Sequence, residues 1–185
     1  MSERRYWFPK SYADAVARLR VPAGFLLIAA FLYFASPDRQ SLAAGVPIAF
    51  AGLLLRAWAA GHLEKNRQLA TSGSYAMVRN PLYLGTLIVA AGFVAAARRW
   101  ELGIIFALVF GGIYLPVIEL EEQHLRKLFP SYAEYAARVP VLIPRIGKSG
   151  DSKPFQFRVY MVNQEYQAAL GFLAGLAVLL WKSVR

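Results

Sequence analysis

The sequence predicts an all-α, polytopic integral membrane protein. Three observations carry that prediction. Hydrophobic residues make up 57% of the chain and the mean hydropathy is +0.38, too apolar for an ordinary soluble domain. The apolar residues gather into five segments separated by turns and charges. The basic residues cluster in alternate connections between those segments, as they do in multi-span proteins. At 185 residues the whole chain, 1–185, reads as a single membrane-embedded domain.

Val21–Phe34 is the first segment. It is taken as a retained span rather than a signal peptide, because the basic lead-in is long and the later segments need a membrane in any case. Ser36-Pro37-Asp38 is a turn, and it predicts a tight hairpin between this segment and the next, Leu42–Gly61. The third segment, Pro81–Ala97, has Asn80 as N-cap and Pro81 at the first helical position. The fourth is Leu102–Glu119, and the fifth is Ala168–Trp181. Within the fifth, Gly171-x-x-x-Gly175 reads as a helix-packing face of small residues. A span needs roughly 20 residues, so the first and last segments recruit flanking ones such as Ala13–Leu19 or Tyr166–Gln167.

Arg4, Arg5, Lys10, Arg18 and Arg20 precede the first segment, and Lys65, Arg67 and Arg79 lie between the second and third. Arg126, Lys127, Arg138, Arg145, Lys148, Lys153 and Arg158 lie between the fourth and fifth. If every segment spans, all three groups share one side, expected to be the cytoplasm, with the N-terminus on it and the C-terminus outside. Arg98 and Arg99 fall on the other side. The expected location is a bacterial inner (plasma) membrane. In the connection from Gln123 to Gln167, Ser131-x-x-Glu134 has the capping-box pattern, and Tyr132, Tyr135, Ala136 and Val139 follow at helical spacing. The pattern predicts a short amphipathic helix on the membrane surface, ended by Pro140, with another break at Pro144. Ile146–Pro154 is linker-like.

The net charge of +10 raises the possibility of nucleic-acid binding. The basic residues alternate with apolar runs, however, so membrane lipids with anionic headgroups are the expected partner and nucleic acid is not. The absence of cysteine excludes disulfides, thiolate catalysis and Cys-ligated metals. The two histidines, His62 and His124, are too few for a typical zinc or haem site and read as interfacial, so no metal is expected. No strand–glycine-loop–helix unit for a dinucleotide is apparent.

The polar residues point to one membrane face. Gly73–Gly85 (GSYAMVRNPLYLG) runs from a polar turn into an apolar helix. Polar groups there are costly unless they pair or bind something. Arg79 has two readings, a snorkelling lipid anchor or, beside free helix N–H groups, an anion ligand. Glu119, Glu121 and Glu122 close the fourth segment, where carboxylates oppose the macrodipole. Either Glu122 pairs with Arg126 four residues on, or these carboxylates hold a cationic ligand. Arg56, inside the second segment, faces a wet interior or snorkels to the near interface. Tyr75, Tyr83, Tyr132 and Tyr135 also fit an aromatic belt. No Ser-His-Asp set or phosphate loop is apparent, so a reaction that depends mainly on positioning suits the site best.

Gly73-Ser74-Tyr75 followed by Arg79-Asn80-Pro81-Leu82-Tyr83-Leu84-Gly85 resembles the G-x-Y…R-[HN]-P-x-Y-x-G pattern of the isoprenylcysteine carboxyl methyltransferase family. Glu121-Glu122-x-x-Leu125, Phe129, Tyr132, Tyr135 and Val141-Leu142-Ile143-Pro144 resemble that family's E-E-x-x-L…F…Y…Y…(I/L)-P tail. Bacterial phospholipid methyltransferases share the double Glu. The resemblance covers 56–144, leaving 145–185 as a linker and last helix. It implies a membrane-embedded methyltransferase that uses S-adenosylmethionine in a pocket at the cytosolic face. Tyr75, Arg79, Asn80, Tyr83, Gly85, Glu121 and Glu122 would line that pocket. Many members have His where this chain has Asn80. Asn163-Gln164-Glu165-Tyr166 resembles an N-x-E-[WY] element of some bacterial members, either closing the substrate side or anchoring the last span.

The function expected on this basis is methyl transfer from S-adenosylmethionine to a lipophilic acceptor entering from the bilayer, a carboxylate of isoprenylcysteine type. Glu122, Arg79 and Glu165 are the candidate catalytic residues, with Glu165 or Glu122 as base if the acceptor is an amine. The alternatives are a phospholipid N-methyltransferase, an NADPH-dependent membrane reductase and a non-catalytic membrane scaffold.

Overall fold

A computed structural model describes residues 7–145 and 153–185; Arg4, Arg5, Lys148 and most of the Ile146–Pro154 linker lie outside the described residues. Among the described residues the regular structure is helical throughout. The protein is an all-helical polytopic membrane protein. Its helices are α1 (Lys10–Ala17), α2 (Arg20–Phe34), α3 (Arg39–Ala60), α4 (Pro81–Ala97), α5 (Trp100–Val109), α6 (Leu115–Leu128), α7 (Tyr132–Arg138), α8 (Phe157–Val162) and α9 (Tyr166–Ser183). A 3₁₀ turn, Gly73–Ala76, precedes α4, and a π turn, Phe110–Tyr114, joins α5 to α6. Three helical stretches are long and apolar enough to cross a membrane: α3, the continuous Trp100–Leu128 rod and α9. The pair α1 and α2, bent by 57°, makes a fourth if read as one span, and α4 is a shorter apolar helix.

The closest packing is between α3 and α4. Gly45 and Gly52 on α3 face Gly92 and Gly85 on α4, and a Cβ added at any of them would collide with the facing helix. Gly45 lies against Gly92 O and Ala96 N, Gly52 against Gly85 O and Val89 N. Backbones approach this closely in membranes only where side chains are absent. The expected α2–α3 hairpin is therefore not the tight one. α2 packs against α5, while α3 lies along α4. Ser36-Pro37-Asp38 serves instead as the entry to α3, where Asp38 Oδ1 accepts from Ser41 N at 2.7 Å and Ser41 Oγ accepts from Asp38 N at 2.9 Å.

At this end of the bundle Arg98 pairs with Asp38, Arg99 Nε donates to Phe34 O at 3.1 Å, and Lys182 Nζ donates to Ala35 O at 2.9 Å. The two arginines that break the charge asymmetry are thus engaged by carbonyl and carboxylate groups. The opposite end gathers the start of α2, the end of α3, the starts of α4 and α9, and α6. It carries the cavity described below, which several charged side chains border.

Several local expectations change. The helix that carries Glu119, Glu121 and Glu122 does not end there but continues to Leu128. The Trp100–Leu128 rod of 29 residues is ~44 Å long, against ~30 Å of hydrocarbon, so its last turns rise out of the bilayer. The three carboxylates therefore lie within the helix, and the macrodipole objection to them disappears. Ser131 precedes α7 with φ −73° and ψ −8° and makes no side-chain cap. A residue with helical backbone angles cannot turn its hydroxyl onto the first turn, and Glu134 pairs instead with Arg138 at 3.3 Å. The α7 face formed by Tyr132 and Tyr135 is buried within the protein rather than laid on lipid. On α9, Gly175 accommodates the Phe93 ring, whereas Gly171 faces open space, so the pair is not a helix-to-helix seam.

Candidate active site

Three tethers build the site floor. The Arg79 backbone N–H donates to Pro140 O at 2.8 Å, Arg145 N donates to Met77 O at 3.0 Å, and Tyr135 OH donates to Tyr75 O at 2.7 Å. The segment after α7 thus clamps the turn that leads into α4. Asn80 does not cap α4 with its side chain, despite its N-cap position. Its Nδ2 turns away to Glu122 Oε1 at 3.4 Å and Val141 O at 3.2 Å.

These elements enclose a cavity of about 850 Å³ at the charged end of the bundle. Tyr75, Arg79, Tyr83, Glu121 and Glu165 all line it. Glu122 pairs with Arg79 from outside this lining, and Asn80 holds Glu122. Gly85 does not border the cavity; it packs into the α3–α4 seam, where its missing side chain makes room for Arg56 Cγ. The absence of a side chain at Gly85 lets α3 and α4 meet.

Three Arg–Glu pairs surround the cavity, and they differ in kind. Arg79 Nε lies 3.2 Å from Glu122 Oε1, with the two side chains 3% and 12% exposed. This excludes both the snorkelling reading of Arg79 and the Glu122–Arg126 pair, since Arg126 stacks over Tyr132 instead. The distance makes an ion pair, but the Nε–H is not aligned on the carboxylate and counts as an unsatisfied donor. The two coexist because Coulomb attraction tolerates an angle that a hydrogen bond does not. Among the described residues the one aligned bond from this guanidinium is a long one, Nη1 to Ala136 O at 3.4 Å. A buried guanidinium with unspent donors is costly unless something else takes them.

The second pair is Arg56–Glu165, at 2.6 Å. Arg56 also donates to Leu82 O at 3.2 Å and to Thr86 Oγ1. Arg56 therefore faces the cavity and does not snorkel. Next to Glu165, Asn163 Nδ2 donates to Ala60 O at 2.9 Å and Leu63 O at 2.8 Å, closing the end of α3. The segment 163–166 thus both anchors the last helix and delivers Glu165 to the cavity. The third pair, Arg20–Glu121 at 3.5 Å, is half exposed, and Tyr83 OH donates to the same Glu121 oxygen at 2.9 Å. Glu119 faces elsewhere and accepts from Trp7 N at 2.8 Å and Phe8 N at 3.1 Å ahead of α1. His62 is fixed between Trp58 O and Lys153 O.

A second cavity adjoins the first. An apolar cavity of about 560 Å³ lies between α2, α4, α5 and α9. Thr86 and Tyr114 line both, so a space bordered by charged side chains adjoins an apolar one among the helices. Sequence reasoning missed Arg20 and Thr86 and could not find a partner for Arg56. Only the charge of Arg56 within an apolar span signalled it.

Burial raises the phenol ionisation of Tyr75, aided by Tyr135 and the Glu165 and Glu121 carboxylates. Burial also raises Tyr132, with Glu122 next, and Tyr135, with Tyr132 next. A free tyrosine ionises near pH ~10. Above that pH the unfolded chain loses phenolic protons that the folded chain keeps, so stability falls as pH rises. Below it this contribution is fully present. A phenolate-absorbance titration is therefore expected to show at least these three tyrosines ionising only with unfolding, not in the ordinary range.

The profile of the phospholipid methyltransferase family matches residues 41–132, about half of the chain, and takes in both the 73–85 turn and the Glu121–Glu122 pair. The chain belongs to this phospholipid and isoprenylcysteine methyltransferase family. Over 136 residues it is 33% identical to the cobalt-zinc-cadmium resistance protein CzcN of Cupriavidus metallidurans, covering 72% of this chain and 61% of that protein. It is 29% identical over 143 residues to the protein-S-isoprenylcysteine O-methyltransferase of Schizosaccharomyces pombe (74% of this chain, 60% of that one). It is 35% identical over 82 residues to protein-S-isoprenylcysteine O-methyltransferase B of Arabidopsis thaliana (44% and 42%). The chain thus spans less than two thirds of the length of each of these relatives. No solved structure matches it significantly.

Proposed function

We propose that the protein transfers a methyl group from S-adenosylmethionine to a lipophilic acceptor bearing a carboxylate, of isoprenylcysteine type, at the cytoplasmic face of a bacterial inner membrane. The observation that carries this reading is Arg79, buried and underused, facing a cavity that also presents Glu121 and Glu165. The fit to the cofactor is chemical. Arg79 and the uncapped start of α4 suit its α-carboxylate, and Glu121 with the Tyr83 ring suits its cationic groups. The cofactor supplies an electrophilic methyl on a sulfonium, which departs as a neutral thioether when the acceptor oxygen forms the new C–O bond.

The chain's part is to align and to exclude water. Thr86, which borders both spaces, and Arg56, which donates to it, would orient an acceptor carboxylate while its apolar chain occupies the 560 Å³ space. A carboxylate acceptor loses no proton on methylation. Both candidate bases are engaged by guanidinium groups, Glu165 by Arg56 and Glu122 by Arg79, which favours that acceptor over an amine. The amine-acceptor reading, phospholipid N-methylation, is favoured by the family description.

Binding of S-adenosylhomocysteine and of NADPH to the purified protein in detergent tests the reading. S-adenosylhomocysteine is expected to bind, and Glu122→Gln to weaken it. Binding of NADPH alone would overturn the function, and binding of neither would favour a scaffold.

A further inference from the structure

Of the three Arg–Glu pairs around the cavity, one differs from the others in strength and burial. Arg56–Glu165 and Arg79–Glu122 are short and largely buried. Arg20–Glu121 is at 3.5 Å, with side chains 47% and 48% exposed. An exposed pair at that separation holds weakly. Arg20 is also the first residue of α2, where the positive end of the helix disfavours a cation. Its guanidinium stands 5.8 Å from the Tyr83 ring centroid, over the aromatic face. Tyr83 OH in turn holds Glu121 Oε1, the oxygen that Arg20 touches, and among the described residues Oε2 carries no hydrogen bond. A carboxylate beside an aromatic face is a cation site, and a weakly held side chain now fills it.

We propose that Glu121 and Tyr83 form a cation subsite whose resident occupant is Arg20, and that a cationic group of the incoming ligand displaces it. Arg20 is thus a gating residue that lowers ligand affinity by the strength of its own hold. The inference rests on the proposed S-adenosylmethionine site. Two cationic groups of that ligand have the required chemistry, its sulfonium and its α-ammonium.

Calorimetric binding of three nucleosides separates them: S-adenosylmethionine (both cations), S-adenosylhomocysteine (ammonium only) and 5′-methylthioadenosine (neither). Arg20→Ala and Arg20→Gln are expected to tighten S-adenosylmethionine by about two- to five-fold, the strength of an exposed pair. 5′-Methylthioadenosine should be unaffected. Tightening of S-adenosylhomocysteine to the same extent assigns the subsite to the ammonium; no tightening of it assigns the subsite to the sulfonium. Arg18→Ala, an equal loss of charge on an exposed residue two positions away, should leave all three unchanged. Glu121→Gln should remove the gain from Arg20→Ala in a double-mutant cycle. Unchanged affinities in both Arg20 variants, or an equal gain in Arg18→Ala, would overturn the gate while leaving the proposed function standing. No binding of S-adenosylmethionine or S-adenosylhomocysteine by the unaltered protein would overturn both.

Discussion

Arg79→Ala is expected to abolish S-adenosylhomocysteine binding and to destabilise the protein by about 3 kcal/mol, since removing one partner strands a largely buried charge. Two effects combine here. The substitution removes a buried cation of the cavity, and it leaves Glu122, 12% exposed, with the Asn80 amide at 3.4 Å and the Tyr132 hydroxyl as uncharged neighbours. The Arg79 backbone bond to Pro140 O is untouched, so the turn itself should persist. Arg79→Lys separates the two effects. It keeps the charge but not the planar fork, so it should recover more of the stability than of the binding. Thermal unfolding in detergent, measured beside the binding isotherm, checks both. Wild-type affinity in Arg79→Ala would remove this residue from the site.

Gly92→Leu is expected to destabilise by about 3 kcal/mol or more, at or beyond the upper end for overpacking. A Cβ at Gly92 meets the Ala49 backbone, which cannot yield as a flexible side chain can. Forcing α3 from α4 also separates Arg56 from Thr86 and Leu82, so the site should fail with the fold. Gly24→Leu and Gly171→Leu are the matched comparison. Both glycines face open space in the apolar chamber, so both variants should keep the wild-type thermal midpoint. An equal loss in all three would show general intolerance of bulk rather than a tight seam.

The contrast between these glycines also marks what the sequence could reveal. Pro81–Ala97 is legible to the residue, because Asn80-Pro81 marks its start and the apolar run stops at Arg98, where the backbone turns left-handed. Membrane character follows from hydropathy and the alternating basic connections. Hydropathy reports the bilayer, however, and not the helix. The rod through Glu119–Glu122 outlasts its apolar run, and its carboxylates were misplaced at a helix end. Capping depends on backbone angles that a four-residue pattern does not contain. Ser131-x-x-Glu134 has the pattern but not the extended backbone, while Asp38, with φ −129° and ψ 178°, has that backbone and caps through Ser41.

The site was half legible for a similar reason. Tyr75, Arg79, Tyr83, Glu121 and Glu165 were each singled out and share one cavity. The pairings were not visible. Arg56 and Glu165 stand 109 residues apart and meet only through the packing of α3, α4 and α9. Arg20 reaches Glu121 across 101 residues, by way of the bend between α1 and α2. The motif makes Gly85 a pocket residue, whereas in the fold it lies against Arg56 and Gly52 of the facing helix.

The most direct measurement is transfer of a radiolabelled methyl group from S-adenosylmethionine to N-acetyl-S-farnesylcysteine by the purified protein. The account predicts label in a product that releases methanol in mild base, as a methyl ester does, and none with Arg79→Ala. Label found only as base-stable N-methyl on phosphatidylethanolamine, or no transfer to any acceptor of a bacterial lipid extract, would contradict it.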